Sequence, residues 1–437
     1  MSFETLGLSP VLLRALADHG YATPTPIQAA AIPVALGGRD LLAGAQTGTG
    51  KTAAFALPLL ERLFVNAAPQ SAGGKRKPRA LILTPTRELA AQVHDSVRGY
   101  AKHLRVHCTT IFGGVGMGPQ IDALRRGVDL IVATPGRLMD HMERRSVDLS
   151  GIEVLVLDEA DRMLDMGFLP AIKRILGTLP RQRQTLLFSA TFADEIKQIA
   201  AQFMRDPAEI QVAARNTVAA GVTHVVHPVD AARKRDLLLH LLSVDSRRQA
   251  LVFSRTKHGA DKLCAHLEKF GLRATAIHGN KSQGARTRAL KDFKSNKVTV
   301  LVATDIAARG LDIEQLPVVI NYDLPMVAED YIHRIGRTGR AGAEGLAVSL
   351  VAQEEAGLLR DIRRLLKQEI AVENVAGFEP SQALRLEGPG SNGRPTFGKS
   401  KPQSHARRPH AHAPNKAHSA GNKQSRQWRG DRTARKA

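Results

Sequence analysis

The sequence predicts two α/β domains in tandem, each built on a parallel β-sheet, followed by a disordered basic C-terminal tail. Three observations support this fold class. The chain has 437 residues, more than one hydrophobic core usually supports. Short apolar runs alternate with longer amphipathic stretches, and the runs fall into two sets of similar number and spacing. The last part of the chain is strongly basic and almost free of apolar residues.

The apolar runs have the length and composition of strands that are buried on both faces of a parallel sheet. Nearly every run ends in a polar or glycine-rich cluster. Because ligands bind beyond the carboxyl ends of the strands in open α/β sheets, these clusters predict one cleft shared by two facing domains. The runs cover residues 40–44, 80–84, 130–134, 154–157 and 185–188 in the first set, and 250–253, 274–277, 298–303, 318–321 and 346–351 in the second. The predicted domains are residues 1–208 and 223–375, with a linker at 209–222 and the tail at 376–437.

The composition excludes several classes of protein. With 62 Lys and Arg residues against 41 Asp and Glu, the net charge is +21, which attracts polyanions and nucleic acid above all. Two cysteines, Cys108 and Cys264, are too few for a disulfide framework and fit a reducing compartment. The sequence shows neither an apolar stretch of the ~18 residues that a membrane span needs nor a signal-peptide pattern, so we expect a cytoplasmic protein with no membrane partner.

The positive charge is concentrated at the C-terminus. Residues 391–437 contain 12 Lys or Arg residues and one acidic residue, Asp431. Such a segment cannot bury enough apolar surface to offset its ordering entropy, which predicts disorder. It can act as a solubilising terminus or as an electrostatic tether for nucleic acid, and its single-signed charge favours the tether.

A candidate phosphate-binding loop follows the first apolar run. Its glycines would let backbone N–H groups surround phosphate oxygens at the start of a helix. Lys51 would reach the β- and γ-phosphates, and the Thr52 hydroxyl would bind Mg²⁺. The general pattern has Gly where this chain has Ala45, so a glycine-rich strand-to-helix turn is the alternative. The loop residues are Ala45, Gln46, Thr47, Gly48, Thr49, Gly50, Lys51 and Thr52.

A cluster of acidic residues supports the first interpretation. The run 154–157 delivers Asp158-Glu159-Ala160-Asp161 at its end. Adjacent carboxylates after a buried strand are costly unless a cation balances them. Asp158 would hold Mg²⁺, and Glu159 would position or deprotonate the attacking water. An acidic helix N-cap is the alternative, but it explains only one Asp.

These residues resemble the motifs of the DEAD-box RNA helicases. The stretch 278–286 resembles the corresponding segment of the bacterial RhlE-type branch of that family. The resemblance implies two tandem RecA-like domains of the P-loop NTPase class, helicase superfamily 2. In that family the phosphate loop begins with Ala, as here. The further matching segments, in family order, are Phe3 with residues 20–28, then 85–89, 113–114, 134–137, 189–191, 252–255, 283–286, 303–312 and 333–340.

The resemblance also assigns nucleotide-site roles. Gln28 is implied to read adenine through its amide while Phe3 stacks on the ring, although composition alone suggests a helix-start residue at Gln28. Asp305 is implied to touch the ribose. Ser189, Thr191 and His333 are expected to couple the two ligand sites.

Arg337 and Arg340 would offset charge on the transferring γ-phosphate. Their spacing predicts one face of a helix, for which a solvated basic helix is the alternative.

The RNA side is expected to use backbone contacts without sequence preference, because the candidate side chains bind phosphate and sugar and carry no base code. These candidates are Thr86, Arg87, Gly114, Thr134, Arg137, Arg255 and Thr304.

Neither predicted domain holds a complete ATPase site, so we expect ATP and RNA each to stabilise a closed state that the other needs. The function expected is an ATP- and Mg²⁺-dependent RNA helicase that melts short duplexes locally. It is expected to be a monomer and to act on ribosome precursors or with RNA-decay machinery. A DNA translocase and an ATP-gated RNA clamp or annealing factor are the alternatives.

Overall fold

The fold was taken from a computed structural model of the chain. It describes residues 2–45, 49–65, 76–212, 221–244, 248–308, 311, 313, 316–339 and 344–386, all within one unit of the chain, Met1–Gly388. The basic segment 391–437 and the loop residues Gln46, Thr47 and Gly48 therefore lie outside the described residues, as does Arg340.

The first half of the chain forms a parallel sheet of seven strands in the order β3-β4-β2-β5-β6-β1-β7. The strands are β1 Leu41–Gly44, β2 Ala80–Leu83, β3 Cys108–Ile111, β4 Leu130–Ala133, β5 Val154–Leu157, β6 Gln184–Ser189 and β7 Ala208–Gln211. The helices are α1 Pro10–Asp18, α2 Pro26–Leu36, α3 Lys51–Leu60, α4 Arg87–Tyr100, α5 Met117–Arg126, α6 Pro135–Glu143, α7 Ala160–Asp165, α8 Leu169–Thr178 and α9 Asp194–Phe203. A short 3₁₀-helix, Phe3–Leu6, precedes them, and a π-helical turn, Glu61–Val65, extends α3.

The second half repeats this plan with seven parallel strands in the order β10-β11-β9-β12-β13-β8-β14. The strands are β8 Val222–Pro228, β9 Ala250–Phe253, β10 Ala274–Ile277, β11 Val300–Ala303, β12 Val318–Asn321, β13 Gly345–Val351 and β14 Ala371–Val372. The helices are α10 Lys234–Val244, α11 Lys257–Lys269, α12 Gln283–Lys294, α13 Asp305–Ala308, α14 Ala328–Ile335 and α15 Ala356–Leu366, with 3₁₀ turns at Ala231–Arg233 and Gln353–Glu355.

Each sheet is covered by apolar residues on both faces. In β2, Ala80 and Ile82 join the cluster on one face, while Leu81 and Leu83 join the cluster on the other. Such alternation within a fully buried strand explains why the sequence shows continuous apolar runs rather than an apolar–polar alternation. No helix among the described residues has the length and apolar character needed to cross a membrane.

The predicted α/β class with two parallel sheets is confirmed, and each of the ten apolar runs coincides with a strand or overlaps one. The described residues include four strands that the pattern did not predict: β3, β7, β8 and β14. Three of these are edge strands, which pair with a neighbour on one side only and have mixed burial. The sequences of β3 and β7 are therefore less apolar than those of the central strands, and β14 has only two residues.

The domain boundaries stay predictions, but two differences bear on them. Strand β7 pairs with β1 and so carries the first sheet into the predicted linker, which begins at residue 209. The predicted tail begins at residue 376, yet residues 376–386 lie against the second domain. Leu384 and Leu386 pack on its core, and the Ser381 amide and hydroxyl bond to Asp230.

Phe378 anchors this segment. Its ring lies 5.3 Å from that of His240 and 5.0 Å from the guanidinium carbon of Arg233. We expect Phe378→Ala to lower the free energy of unfolding by about 1–2 kcal/mol, because alanine provides neither the packed ring nor its cation–π interaction. Urea unfolding measures this. Phe270→Ala, at a ring that is 57% exposed, is the control and should cost about 0.5 kcal/mol or less. Equal decreases would show that the contacts of the Phe378 ring contribute no more to stability than an exposed ring does.

Candidate functional site

The phosphate-loop residues lie between β1 and α3, as the sequence predicts. Gly50 precedes α3 with φ of 87°, and a side chain there would overlap Gln28. Lys51 is buried, and its Nζ donates to the carbonyl of Ala45 at 3.1 Å. The lysine thus closes the loop on itself and lies at the amino end of α3, where an anion is favoured. Thr49 and Thr52 flank it in sequence, and Thr52 is half-buried.

Gln28 links the N-terminal segment to this loop. Its Oε1 accepts from the Thr25 amide at 2.8 Å and its Nε2 donates to the Gly50 carbonyl at 3.1 Å, so it caps α2 and touches the loop at the same time. The helix-start interpretation of Gln28 therefore describes its geometry. Phe3 is buried and meets Tyr21 edge-on, with ring centroids 6.2 Å apart. The roles of Gln28 and Phe3 toward adenine stay predictions.

Asp158 follows β5 and is buried beside the loop. Burial raises the pKa of its carboxyl group, whereas the positive charge of Lys51 opposes that rise. Its Oδ1 is buried and has no hydrogen-bond partner among the residues that the structure describes. A carboxylate in that state is costly without a cation, so its chemistry fits Mg²⁺. Glu159 comes next with φ of 52°, a strained backbone conformation for a residue other than glycine.

Asp161 joins the acidic cluster to the end of β6. Its Oδ2 accepts from the amides of Ala190 and Thr191, both at 3.1 Å, and from the Thr191 hydroxyl at 3.4 Å. The Ser189 hydroxyl donates to the Thr191 carbonyl at 2.6 Å. The predicted coupling residues Ser189 and Thr191 are thus fixed to the cluster by one carboxylate.

Arg334 contacts four residues of the second domain, and the sequence patterns did not identify it as a site residue. It is buried and forms two hydrogen bonds with Asp305, from Nε at 2.6 Å and from Nη2 at 2.7 Å. Its Nη1 donates to Asn321 Oδ1 and to the Asp323 carbonyl, and the guanidinium lies 4.8 Å from the Phe253 ring centre. Asp305, expected at the ribose, therefore has both oxygens engaged by arginine. The signal was present, since Arg334 lies between His333 and Arg337 in the same motif.

Arg337 and Arg340 were predicted to lie on one face of a helix, and this prediction is wrong for Arg337. Helix α14 ends at Ile335, with Gly336 as its C-cap, so Arg337 lies beyond the helix. The reason is glycine, which terminates helices readily. Arg337 is buried, and its Nη1 donates to the Leu311 carbonyl at 2.7 Å. His333 lies in the last turn of α14 and is half-buried.

The predicted RNA residues of the first domain collect at the ends of β2, β3 and β4. Thr86 caps α4, accepting from the Leu89 amide at 3.2 Å. The Arg87 guanidinium lies directly over Gly114, where any side chain would overlap it. Arg137 donates to the Val115 carbonyl at 3.1 Å, and Thr134 precedes α6. Two guanidinium groups and a bare glycine backbone therefore share one surface.

In the second domain, Arg255 follows β9 and Thr304 follows β11, its neighbour in the sheet. The Arg255 amide donates to Asp323 at 2.8 Å, and its Nη2 donates to Glu355 at 3.2 Å. The same Glu355 also pairs with Lys234. Arg255 is therefore held from two sides by acidic residues that the sequence analysis did not select.

Glu88 of the first domain contacts residues of the second domain next to the predicted RNA-binding residue Arg87. Its carboxylate accepts from Gln283 Nε2 at 2.8 Å and pairs with Arg286 Nη2 at 2.9 Å. Both charged side chains are almost completely buried, and burial lowers the pKa of Arg286. Residues 85–89 and 283–286 were selected as separate motifs, and the fold brings them into contact.

Comparisons with known proteins agree with this geometry. A model of the DEAD/DEAH box helicases matches residues 25–199, and one of the helicase conserved C-terminal domain matches residues 233–342. A DEAD-box ATP-dependent RNA helicase CshA from Bacillus cereus is 44% identical over 369 residues, which are 84% of this chain and 69% of the relative. The chain belongs to the DEAD/DEAH box helicase family.

Other members of the family extend the comparison. ATP-dependent RNA helicase DeaD from Buchnera aphidicola is 42% identical over 388 residues, covering 89% of this chain and 63% of that helicase. The structure of S. cerevisiae Dbp5 bound to RNA and ADP BeF3 superposes with a TM-score of 0.76 at 33% identity, covering 85% of this chain and 95% of Dbp5. These helicases bear other branch names, so the RhlE-type assignment stays a prediction.

The carboxylate of Asp161 offers a direct test of how this DEAD/DEAH box helicase assembles its site. An amide at this position cannot accept hydrogen bonds with both of its terminal atoms, so Asp161→Asn leaves backbone donors without acceptors. We expect the free energy of unfolding of the first domain to fall by about 1–3 kcal/mol in urea titrations.

Asp122→Asn is the control for this substitution, because Asp122 is exposed and pairs only with Arg125 among the contacts of the described residues. It should change stability by less than about 0.5 kcal/mol. An Asp161→Asn protein as stable as its parent would mean that the contacts to Ala190 and Thr191 do not hold the site together.

Proposed function

We propose that the chain is an RNA-stimulated ATPase that uses ATP to separate short RNA duplexes. The observation that carries the proposal is the buried Asp158 carboxylate, which is attracted by the charge of Lys51 and whose Oδ1 has no hydrogen-bond partner within the described part of the chain. A buried acid kept beside a phosphate-loop lysine is suited to a nucleotide with its metal ion. Membership in the family and similarity to helicases that act on RNA support RNA as the second ligand.

The nucleotide would lie over the amino end of α3. Lys51 would exchange its bond to the Ala45 carbonyl for the β- and γ-phosphates. Thr52 and Asp158 would hold Mg²⁺, which supplies positive charge to the phosphate oxygens when bound. Glu159 would accept a proton from the attacking water. Gln28 already contacts the loop and would read the adenine edge, with Phe3 near the base.

The second domain would complete the site. Arg337 would have to exchange its bond to the Leu311 carbonyl for the γ-phosphate, and Arg340 would act beside it. Asp305 would meet the ribose while Arg334 fixes its orientation. Because Asp161 bonds to Thr191, and Thr191 to Ser189, a movement of the acidic cluster toward the phosphates would also move Ser189 and Thr191. His333 of α14 would act with them from the second domain.

RNA would cross the surface formed by Thr86, Arg87, Gly114, Thr134 and Arg137 and reach Arg255 and Thr304 in the second domain. These groups contact phosphate and sugar, so binding would not depend on base sequence. Closing on one strand in a shape that a duplex cannot adopt would separate a few base pairs. At about 1.4 kcal/mol per step, a short duplex opened at one end then dissociates by itself. Action as a monomer on ribosome precursors or with RNA-decay machinery belongs to this proposal.

Removing the phosphate-loop amine tests the ATPase. Lys51→Ala should lower RNA-stimulated turnover by about 100-fold or more, because the charge on the transferring phosphate loses its closest lysine. Phosphate release with and without RNA, followed by displacement of a short RNA duplex, measures this. Lys197→Ala, at an exposed lysine of α9, should behave like the parent.

Three results would count against parts of the proposal. Parental turnover in Lys51→Ala would refute the phosphate-loop assignment. Turnover that is equally fast without RNA would refute the coupling. RNA-stimulated turnover without strand separation would favour the ATP-gated RNA clamp.

The basic segment 391–437 is proposed to tether RNA, and salt dependence tests this. For single strands, the slope of log K against log salt becomes shallower by about 0.7 for each phosphate that the protein no longer neutralises. A chain whose 12 Lys and Arg residues in this segment are replaced by Gln should therefore show weaker RNA binding, mainly at low salt, and a shallower slope. A chain with 12 neutral polar substitutions among the other residues of the segment is the control. An unchanged slope would leave the segment as a solubilising terminus.

A further inference from the structure

An ion pair connects the two domains next to the acidic cluster. Arg162 directly follows Asp161 on α7, and Asp330 lies in the first turn of α14. Arg162 Nη1 donates to Asp330 Oδ1 at 2.8 Å, and the side chains are 7% and 17% exposed. The acidic group lies at a helix N-terminus and the basic group in the last turn of another helix, where the helix dipoles favour each of them.

The surroundings of Arg162 distinguish this pair from a surface salt bridge. Exposed pairs contribute little, whereas a buried guanidinium requires an anion. Arg162 has a second acceptor on its own helix, since Nη1 also lies 3.3 Å from Asp165 Oδ2, and Asp165 is 51% exposed. Its Nη2 is buried and finds no hydrogen-bond partner among the described residues. Arg162 can therefore pair with Asp165 of the first domain when the domains separate, and also with the more buried Asp330 when the domains meet.

The pair joins two assemblies that each contain predicted site residues. On one side, the Arg162 amide donates to Asp161 Oδ1 at 3.0 Å, and the other Asp161 oxygen holds Ala190 and Thr191. On the other side, the helix of Asp330 carries His333 and Arg334, and Arg334 holds Asp305. A shift of α14 relative to α7 would therefore be transmitted to both half-sites.

We propose that Arg162 and Asp330 are a positioning pair that fixes α14 against the acidic cluster when the two domains form the ATPase site. The pair sets the rate of RNA-stimulated turnover and leaves nucleotide binding to the first domain unaffected. It acts at a different place from the Glu88–Arg286 pair, which lies beside the residues predicted to bind RNA. This inference rests on the proposed function.

A double-mutant cycle tests the pair. Arg162→Gln and Asp330→Asn should each lower RNA-stimulated kcat by about tenfold, and the double variant should lose no more than either single one. The Kd for ATP measured without RNA should stay within about twofold of the parent's. Glu329→Gln removes the same charge from the neighbouring exposed position of α14 and should leave kcat unchanged.

Arg162→Lys is a second variant, which keeps the test decisive if Arg162→Gln does not fold. Its ammonium group retains the charge but not the planar fork, so kcat should lie between those of the parent and Arg162→Gln. Additive effects, about 100-fold in the double variant, would overturn the inference, as would parental kcat in both single variants or an ATP affinity without RNA that is about tenfold weaker. If the parent itself shows no RNA stimulation, the proposed function fails before the cycle is measured.

Discussion

The parallel direction of the strands is the constraint on which the site depends. Every described strand pairing in both sheets is parallel, so the carboxyl ends of the strands meet at one edge of each sheet. The order β4-β2-β5-β6-β1 then arranges the residues at the ends of these strands in a row: Thr134, Thr86, Asp158, Ser189 and Ala45. The predicted RNA residues occupy one end of this row and the predicted nucleotide residues occupy the other. Strand order alone therefore separates two ligand surfaces while keeping them on one rigid edge.

Charge compensation shows which groups are structural and which can meet a ligand. Asp161 is satisfied by backbone amides, Asp305 by Arg334, and Glu88 by Arg286. Asp158 differs, because one of its oxygens is buried with no partner in the part of the chain that the structure describes, and burial raises its pKa. A protein keeps such a group at a cost in stability, which is reasonable only where a cation is bound during function.

The sequence was sufficient for the sheets but not for the side-chain partners. Central strands are apolar because both faces are buried, so their runs were visible, whereas β3, β7 and β14 pair on one side only and carry weaker patterns. The motif residues were identified by their resemblance to a family. The acidic cluster was identified because adjacent carboxylates after a buried strand are unfavourable unless a cation balances them. Arg334 and Glu88 lie within the matching motifs, but their pairings were missed because the partners are 29 and 195 positions away in the chain. Local spacing also placed Arg337 on a helix that Gly336 terminates.

The contacts of Glu88 and of Arg162 with the second domain, both among the described residues, are made of charged and polar side chains, and this has a thermodynamic consequence. A buried ion pair gains Coulomb energy but loses hydration, so its net contribution is small compared with that of an apolar interface of similar area. Contacts of this kind can break and form again at a small net cost in free energy. Ligands that prefer one arrangement by a few kcal/mol then determine its population. An apolar interface at Glu88 or Arg162 would instead hold the domains together irrespective of ATP and RNA. The two ligands could then no longer control the opening and closing of the domains.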